Sequence, residues 1–360
     1  MKSVLAPESF EELAEVVRST PRVLVVGAGT KPRLSDVDVE KLSTARLRGI
    51  SEYDPSEFTF TAAAGTPVRE IAAALAECGQ HLPFDPMLVD AGATLGGTVA
   101  AGLSGPGRLR FGGLRDFILG VRFVDGAGRL LRMGGKVVKN AAGFDLPKFF
   151  VGSLGRFGVL AEMTFKVFPR PTSTLTLRLA AGTLNDAVKI LTEAANSRFE
   201  FDALDVPPDE PGVLARLAGP AAALEVLTRE IFARWPGEVL SESVAESLWS
   251  GLREFRWSHP DAPLVKVALP PGAVVALGQA VQALAGARLH LSGGGNFAFV
   301  SLAAAAQAGE FDESLRDLGV AGATLRGEAP LWLGLRARPA IARAVKQALD
   351  PVNRFPSLDD

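Results

Sequence analysis

Residues 89–125, VDAGATLGGTVAAGLSGPGRLRFGGLRDFILGVRFVD, constrain the fold more than any other part of this sequence. Gly92, Gly96, Gly97, Gly102 and Gly105 carry no Cβ, so the backbone there can take positive φ and approach a ligand or another segment closely. Successive backbone N–H groups in such loops form concavities that favour anions. A glycine-rich loop packed under a helix would look the same, so this stretch alone does not separate binding from packing.

A second glycine loop lies upstream. Val23-Leu24-Val25-Val26 reads as a short buried strand, and it runs into Gly27-Ala28-Gly29-Thr30-Lys31-Pro32-Arg33. A strand feeding Gly-x-Gly suggests a dinucleotide turn that opens into a helix. Pro32 and the following Leu34-Ser35-Asp36-Val37-Asp38 show no helical period, and a third glycine is missing. A phosphate-cradling loop between strands remains, with Lys31 and Arg33 adding positive charge. Two glycine loops are what a diphosphate held from two sides requires.

At 360 residues the chain is long enough for two domains with buried cores. Lys and Arg number 38 against 40 Asp and Glu, so no positive excess points to nucleic acid. The single cysteine, Cys78, excludes an intrachain disulfide and a cysteine-ligated iron–sulfur cluster within this chain; at a helix end, it is expected to be a buried structural thiol. The N-terminal MKSVLAPESFEEL lacks an apolar signal core. The apolar run 88–103 contains Asp90 and is dominated by Gly, Ala and Thr, which argues against a membrane span. The cytoplasm is the expected location.

Periodicity predicts a helix over 7–18, strands at 22–26 and 57–62, and a helix opened by Thr66-Pro67 and closed by Gly79. Residues 117–124 and 129–133 flank Asp125-Gly126-Ala127-Gly128 as a hairpin, and 159–167 is a further strand. Pro169-Arg170-Pro171 marks a domain boundary. Beyond it, strands at 175–179, 201–206, 264–269, 288–291 and 297–302 alternate with helices at 184–194, 221–235 and 273–284. That order predicts an antiparallel sheet with helices on one face.

The segments VLVVGAGTKPR, GTPVREIAAALAECGQHLPFDP, GATLGGTVAAGLSGPGRLRFGGLRDFILGVRFVDGAG and KNAAGFDLPKFFVGSLGRFGVLAEMTFKVFPRP occur in this order. Together they resemble the flavoprotein family of vanillyl-alcohol oxidase type, and within it the FAD-binding subunits of bacterial glycolate oxidases. The resemblance covers residues 1–171, and more weakly 348–355. It implies an α+β fold: a two-part FAD-binding domain over 1–171, an α+β cap domain with an antiparallel sheet over 172–330, and a segment 331–360 that returns to the FAD domain. It also implies which residues meet FAD. Gly27, Ala28, Gly29, Thr30 and Lys31 match the first diphosphate loop. Pro86, Gly92, Ala93, Thr94, Gly96, Gly97, Gly102 and Ser104 match the second region, where backbone donors and a hydroxyl would meet phosphate or flavin. Gly112, Arg115 and Asp116 follow the long loop, Gly143 belongs to a segment near the flavin together with Lys139, Asn140 and Asp145, and Gly158, Val159 and Leu160 line the adenine. Phe144 stands where tyrosine is usual. Neither glycine loop contains the histidine through which some relatives attach flavin, so FAD is expected to bind non-covalently.

Relatives that oxidise 2-hydroxy acids carry His-x-Gly-Asp-Gly-Asn-x-His in the cap, with the histidines on a divalent metal. Aligned through Asn296, this chain reads Leu291-Ser292-Gly293-Gly294-Gly295-Asn296-Phe297-Ala298, and the later Glu-His is Glu328-Ala329. Leucine and alanine cannot ligate metal, so no metal is expected here. His81, His259 and His290 form no triad or metal pattern in the sequence. Three readings follow. The chain is an FAD-binding subunit of a glycolate-oxidising complex, partnered by a related flavin subunit and an iron–sulfur subunit. Alternatively, it is a self-sufficient FAD dehydrogenase of a small 2-hydroxy acid, with a cation such as Lys266 on the carboxylate, or an assembly subunit whose cleft holds no flavin. The catalytic base is not legible in any of them.

Overall fold

The structure, a computed structural model, describes residues 4–135, 145–208, 212–336 and 340–359. The chain divides into two compact units. Met1–Ser104, Gly113–Pro169 and Ala337–Asp360 form the first; Gly105–Gly112 and Arg170–Arg336 form the second. Gly105–Gly112 groups with the second unit because Leu109 packs on that unit's apolar core.

The first unit is built on a five-stranded antiparallel sheet, in the order Ile50–Asp54, Thr59–Ala63, Val159–Lys166, Ile118–Val124 and Leu130–Gly134. Val159–Lys166 is central, and six of its eight residues are buried, which suits a strand covered on both faces. The hairpin foreseen around Asp125 is present, and the Asp125 carboxylate accepts from the N–H groups of Ala127 and Arg129 at 3.0 and 2.9 Å. Helix Phe10–Ser19 starts where Ser9 Oγ accepts from Glu12 N at 3.0 Å, a cap worth ~1 kcal/mol. Its Leu13, Ala14 and Val17 pack with Val23, Val124, Val159 and Phe355.

Val23–Val26 pairs in parallel with Glu40–Ser43 outside the main sheet. Only a short 3-10 turn, Pro32–Ser35, stands between the two strands, so no helix follows the Gly27 loop. One expectation fails. The centre of the long glycine stretch is not a loop but the helix Leu95–Ala101, capped by Thr94, whose Oγ1 accepts from Gly97 N at 3.3 Å, and closed by Gly102 at φ +61°. Tertiary packing overrides the poor helix propensity of glycine here. Cys78 is another correction: it caps helix Val68–Glu77 but is exposed.

The second unit has a four-stranded sheet and a five-stranded one, both antiparallel. An isolated bridge, Val206 to Leu291, joins them. In strands Leu264–Ala268, Arg288–Ser292 and Phe297–Ser301, one face carries Val265, Val267, Leu291, Ala298 and Val300. These pack with Val274, Leu277 and Val281 of one helix and Phe311 and Leu315 of another. Helices are not confined to one side, as the sequence had suggested. Helix Glu242–Arg253 places Ala245, Trp249 and Leu252 against Ala203 and Leu214, which point away from the core side taken by Leu204, Val213 and Ala215.

Candidate functional site

A cleft opens in the first unit, lined by the first glycine loop, the start of helix Leu95–Ala101 and residues 153–160. It lies where strand Val23–Val26 ends. Glycines set its walls by excluding side chains. A Cβ on Gly27 would sit 2.4 Å from Thr94 Oγ1, and one on Gly96 would sit 2.8 Å from Ala64 Cβ and 3.0 Å from Ala64 O. The first glycine loop and the start of helix Leu95–Ala101 are thereby pressed together, which brings the two glycine segments onto one cavity.

A third segment closes the cleft, and sequence reasoning had credited only its end. Ser153, Leu154 and Gly155 line the cavity with Gly158 and Leu160. Leu154 and Gly155 have φ of +53° and +71°, and Gly155 leaves no room for a side chain beside Val25 Cγ1, at 2.7 Å. Gly152 N and Leu154 N donate to Val99 O and Ala100 O at 3.0 and 2.9 Å, tying this turn to the helix. The legible signal was three glycines in the seven residues 152–158.

Of the residues singled out in the sequence, Gly27, Ala28, Gly29, Thr30, Lys31, Thr94, Gly96, Gly97, Gly158 and Leu160 line the cleft. Val159 turns the other way, into the core with Leu13 and Val23, as the alternation of a strand demands. Ala93 is buried beside Thr94, and its carbonyl accepts from Val68 N at 2.9 Å. Gly92, at φ +88°, and Pro86 lie in the turns leading to the helix. Gly102 ends that helix, and buried Ser104 accepts from Leu114 N at 3.2 Å. Arg115 and Asp116 are exposed, and Asp116 Oδ2 caps its own turn by accepting from Gly113 N at 2.8 Å. Gly112 belongs to the second unit. Asp145 caps the short helix Leu146–Phe149. Lys139, Asn140, Gly143 and Phe144 lie outside the described residues.

The donors are not all where the sequence put them. Gly96 N donates to Ala64 O at 2.8 Å and Gly97 N to Thr94 Oγ1 at 3.3 Å, so these glycines contribute space rather than free N–H groups. Among the described residues, the N–H groups of Gly27 through Lys31 meet no protein acceptor. Ser153 Oγ is buried against the cleft and has no hydrogen-bond partner. Buried polar groups are nearly always paired, so this hydroxyl has a donor to spare for a ligand in the cleft that its residue lines. Lys31 is the one charged residue among those lining it, and its Nζ lies 2.8 Å from Thr30 Oγ1. Burial pulls its pKa down to about 8, because a desolvated ammonium is disfavoured. Free N–H groups, one desolvated cation and an orphan hydroxyl fit the diphosphate of a dinucleotide.

In the second unit, the segment aligned with metal ligands carries none. Leu291 and Ala298 are cross-strand partners inside the apolar core. Gly293, Gly294 and Gly295 all have positive φ at the hairpin tip. Among the described residues, no cluster of three or more His, Cys, Asp or Glu could hold a metal. The residues present do not fit a divalent ion. His290 hydrogen-bonds Asp205 Oδ2 through Nε2 at 2.8 Å, fully buried.

Residues 1–134 match the FAD binding domain family. The solved structure of alkyldihydroxyacetonephosphate synthase aligns over 98% of this chain and 75% of its own, with a TM-score of 0.71 and 17% identity. The chain has the FAD-binding fold of vanillyl-alcohol oxidase type. Its relatives narrow this further. Glycolate oxidase subunit GlcE of Escherichia coli (strain K12) is 36% identical over 272 residues, covering 73% of each chain, and the chain belongs to that family. Glycolate oxidase subunit GlcD of Bacillus subtilis is 28% identical over 240 residues, 63% of this chain and 51% of that one. D-2-hydroxyglutarate dehydrogenase of Xanthomonas citri is 30% identical over 186 residues, 49% of this chain and 39% of that one.

Proposed function

We propose that this chain is the FAD-holding subunit of a complex that oxidises glycolate, or a related small 2-hydroxy acid, to the 2-oxo acid. The observation that carries the reading is the cleft itself, where unpaired N–H groups, Lys31 and the Ser153 hydroxyl converge on one cavity. Bound FAD supplies a two-electron acceptor for the CH–OH carbon. The protein's part is binding and orientation. The N–H groups of residues 27–31 and the Lys31 ammonium meet the diphosphate, Ser153 Oγ donates to the cofactor, and Gly27, Gly96 and Gly155 keep side chains out of its path.

Similarity to subunits named GlcE and GlcD supports a multi-subunit assembly. In this reading a related flavin subunit carries most of the substrate chemistry, because the metal-ligand positions here hold leucine and alanine, and an iron–sulfur subunit takes the electrons onward. No helix among the described residues is long and apolar enough to cross a membrane.

A second reading rests on one observation in the second unit. Lys266 Nζ and Arg108 Cζ lie 6.0 and 5.8 Å from the centre of the Phe297 ring. Burial, and then the nearby Arg108 charge, lower the Lys266 pKa to about 8. Two cations over an aromatic floor suit a small carboxylate, so the chain could itself seat a 2-hydroxy acid. Anaerobic spectroscopy separates the readings. The isolated, FAD-loaded chain should stay yellow with glycolate or lactate, and bleach once its partner subunits are added. Rapid bleaching of the lone chain would overturn the complex-subunit assignment. Failure to take up FAD at all would leave only an assembly role.

A further inference from the structure

The C-terminal segment holds a dense polar knot far in sequence from the cleft. Lys346 Nζ, on helix Ala340–Leu349, donates to Arg156 O at 2.7 Å, Asp350 Oδ2 at 2.6 Å, Phe355 O at 2.9 Å and Pro356 O at 3.2 Å. Asp350, almost wholly buried, also accepts from Arg354 N and Phe355 N at 2.8 and 2.9 Å. One of these contacts, and one further bond from the same segment, reach the elements that carry the cleft lining. Arg156 sits in the turn 153–158 between Gly155 and Gly158, and its fully buried guanidinium reaches Leu34 O at 3.4 Å, beside Ser35 on the opposite wall. Arg354 O accepts from Val23 N at 2.9 Å, at the root of the strand that ends in the Gly27 loop.

We propose that residues 346–356 form a clasp that sets the width of the flavin cleft through the Arg156 carbonyl, with Lys346 as the positioning residue, so that clasp closure and FAD binding strengthen one another. The physical ground is the strain of the turn it holds. Leu154 is a non-glycine residue at positive φ, a costly conformation that persists only where surrounding contacts impose it. Lys346 supplies such a contact from outside the cleft, at the carbonyl two residues on. A ligand that needs Ser153 and Leu154 in this arrangement must favour the clasped state, and linkage makes the effect mutual.

The test uses the full chain. Hydrogen exchange with and without FAD should show slower exchange both at 153–158 and at 346–355 in the presence of FAD, although the second stretch does not line the cleft. Lys346→Met should raise the Kd for FAD about tenfold, equivalent to ~1.4 kcal/mol. Ser9→Ala removes the hydroxyl that caps helix Phe10–Ser19 by accepting from Glu12 N, outside both the clasp and the cleft lining. It should lower the melting temperature of the unliganded chain while leaving FAD affinity within about twofold. Equal losses of FAD affinity in both variants would reduce the clasp to general stability and overturn the proposal. So would an exchange rate at 346–355 that ignores FAD, a result obtainable on the unmodified chain even where Lys346→Met fails to fold. Absence of FAD binding in the unmodified chain would instead strike at the flavin reading itself.

Discussion

The buried cation in the cleft gives the most incisive prediction. Without ligand, Lys31 titrates near pH 8, lowered from its ordinary 10.5 by burial. A diphosphate beside it restores the charged form, so FAD binding above pH 8 requires proton uptake. At pH 7 about ten chains in eleven already carry the charge, and at pH 9 about one in eleven does. The Kd for FAD should therefore rise about tenfold between pH 7 and pH 9, provided the bound-state pKa lies above that window. Restoring the full shift is worth ~3 kcal/mol to the cationic state. Lys31→Met should weaken binding at pH 7 by roughly 10- to 100-fold, the loss of a charge-assisted hydrogen bond to an anion, and should flatten the pH profile. Stability of the unliganded chain moves the other way. Because the folded pKa is depressed, the unfolded chain binds more protons between pH 8 and 10.5, and this residue's contribution to stability rises with pH there. Flavin fluorescence titration across the pH range measures both variants. A Kd independent of pH in the unmodified chain, or a methionine variant that binds as tightly, would refute the assignment of Lys31 to the diphosphate.

Other perturbations test separate parts of the site. Ser153→Ala should leave the unliganded melting temperature unchanged or slightly higher, since it removes an unpaired buried hydroxyl, while FAD affinity falls by roughly 3- to 10-fold. Gly96→Ala forces a methyl to within 2.8 Å of Ala64 Cβ and 3.0 Å of its carbonyl, and should destabilise the fold by about 1–3 kcal/mol in denaturant titrations, with FAD retention lost on gel filtration. Asp205→Ala strips the acceptor from His290, Ser292 and Gly293, and should lower stability by about 3–5 kcal/mol without changing FAD affinity, because those groups belong to the second unit.

Much of the first unit was legible because its signals are local. Val23–Val26 and Ile118–Val124 are apolar runs bounded by turn residues, and Asp125-Gly126 announces its hairpin through side-chain hydrogen bonds two and four residues on. The helix Leu95–Ala101 was not legible as a helix. Its two glycines argue against one, and the reason it forms lies in Ala64, thirty-two residues before Gly96, whose carbonyl and methyl tolerate no side chain there. The same non-local contact explains why Gly96 N–H is spent inside the protein. Ser153 and Arg156 were missed because neither belongs to a periodic pattern, and their importance comes from positive-φ backbone around them and from Leu34 across the cleft. The exposure of Cys78 likewise depends on what the helix end faces, which its own sequence does not encode.

His290 shows how the second unit replaces what the aligned metal ligands would supply. A metal in such a hairpin fixes the tip by ligation. Here Asp205 does so with hydrogen bonds, accepting from His290 Nε2 at 2.8 Å, Ser292 Oγ at 2.7 Å and Gly293 N at 3.0 Å. Gly294 N adds a bond to Leu204 O at 2.8 Å on the same neighbouring strand. Three consecutive glycines at positive φ are an entropic burden that this set of bonds offsets. The Asp205 carboxylate is fully buried and accepts three donors from the hairpin, and Leu291 and Ala298 have no atoms to offer an ion. The tip is therefore fixed by the protein's own hydrogen bonds.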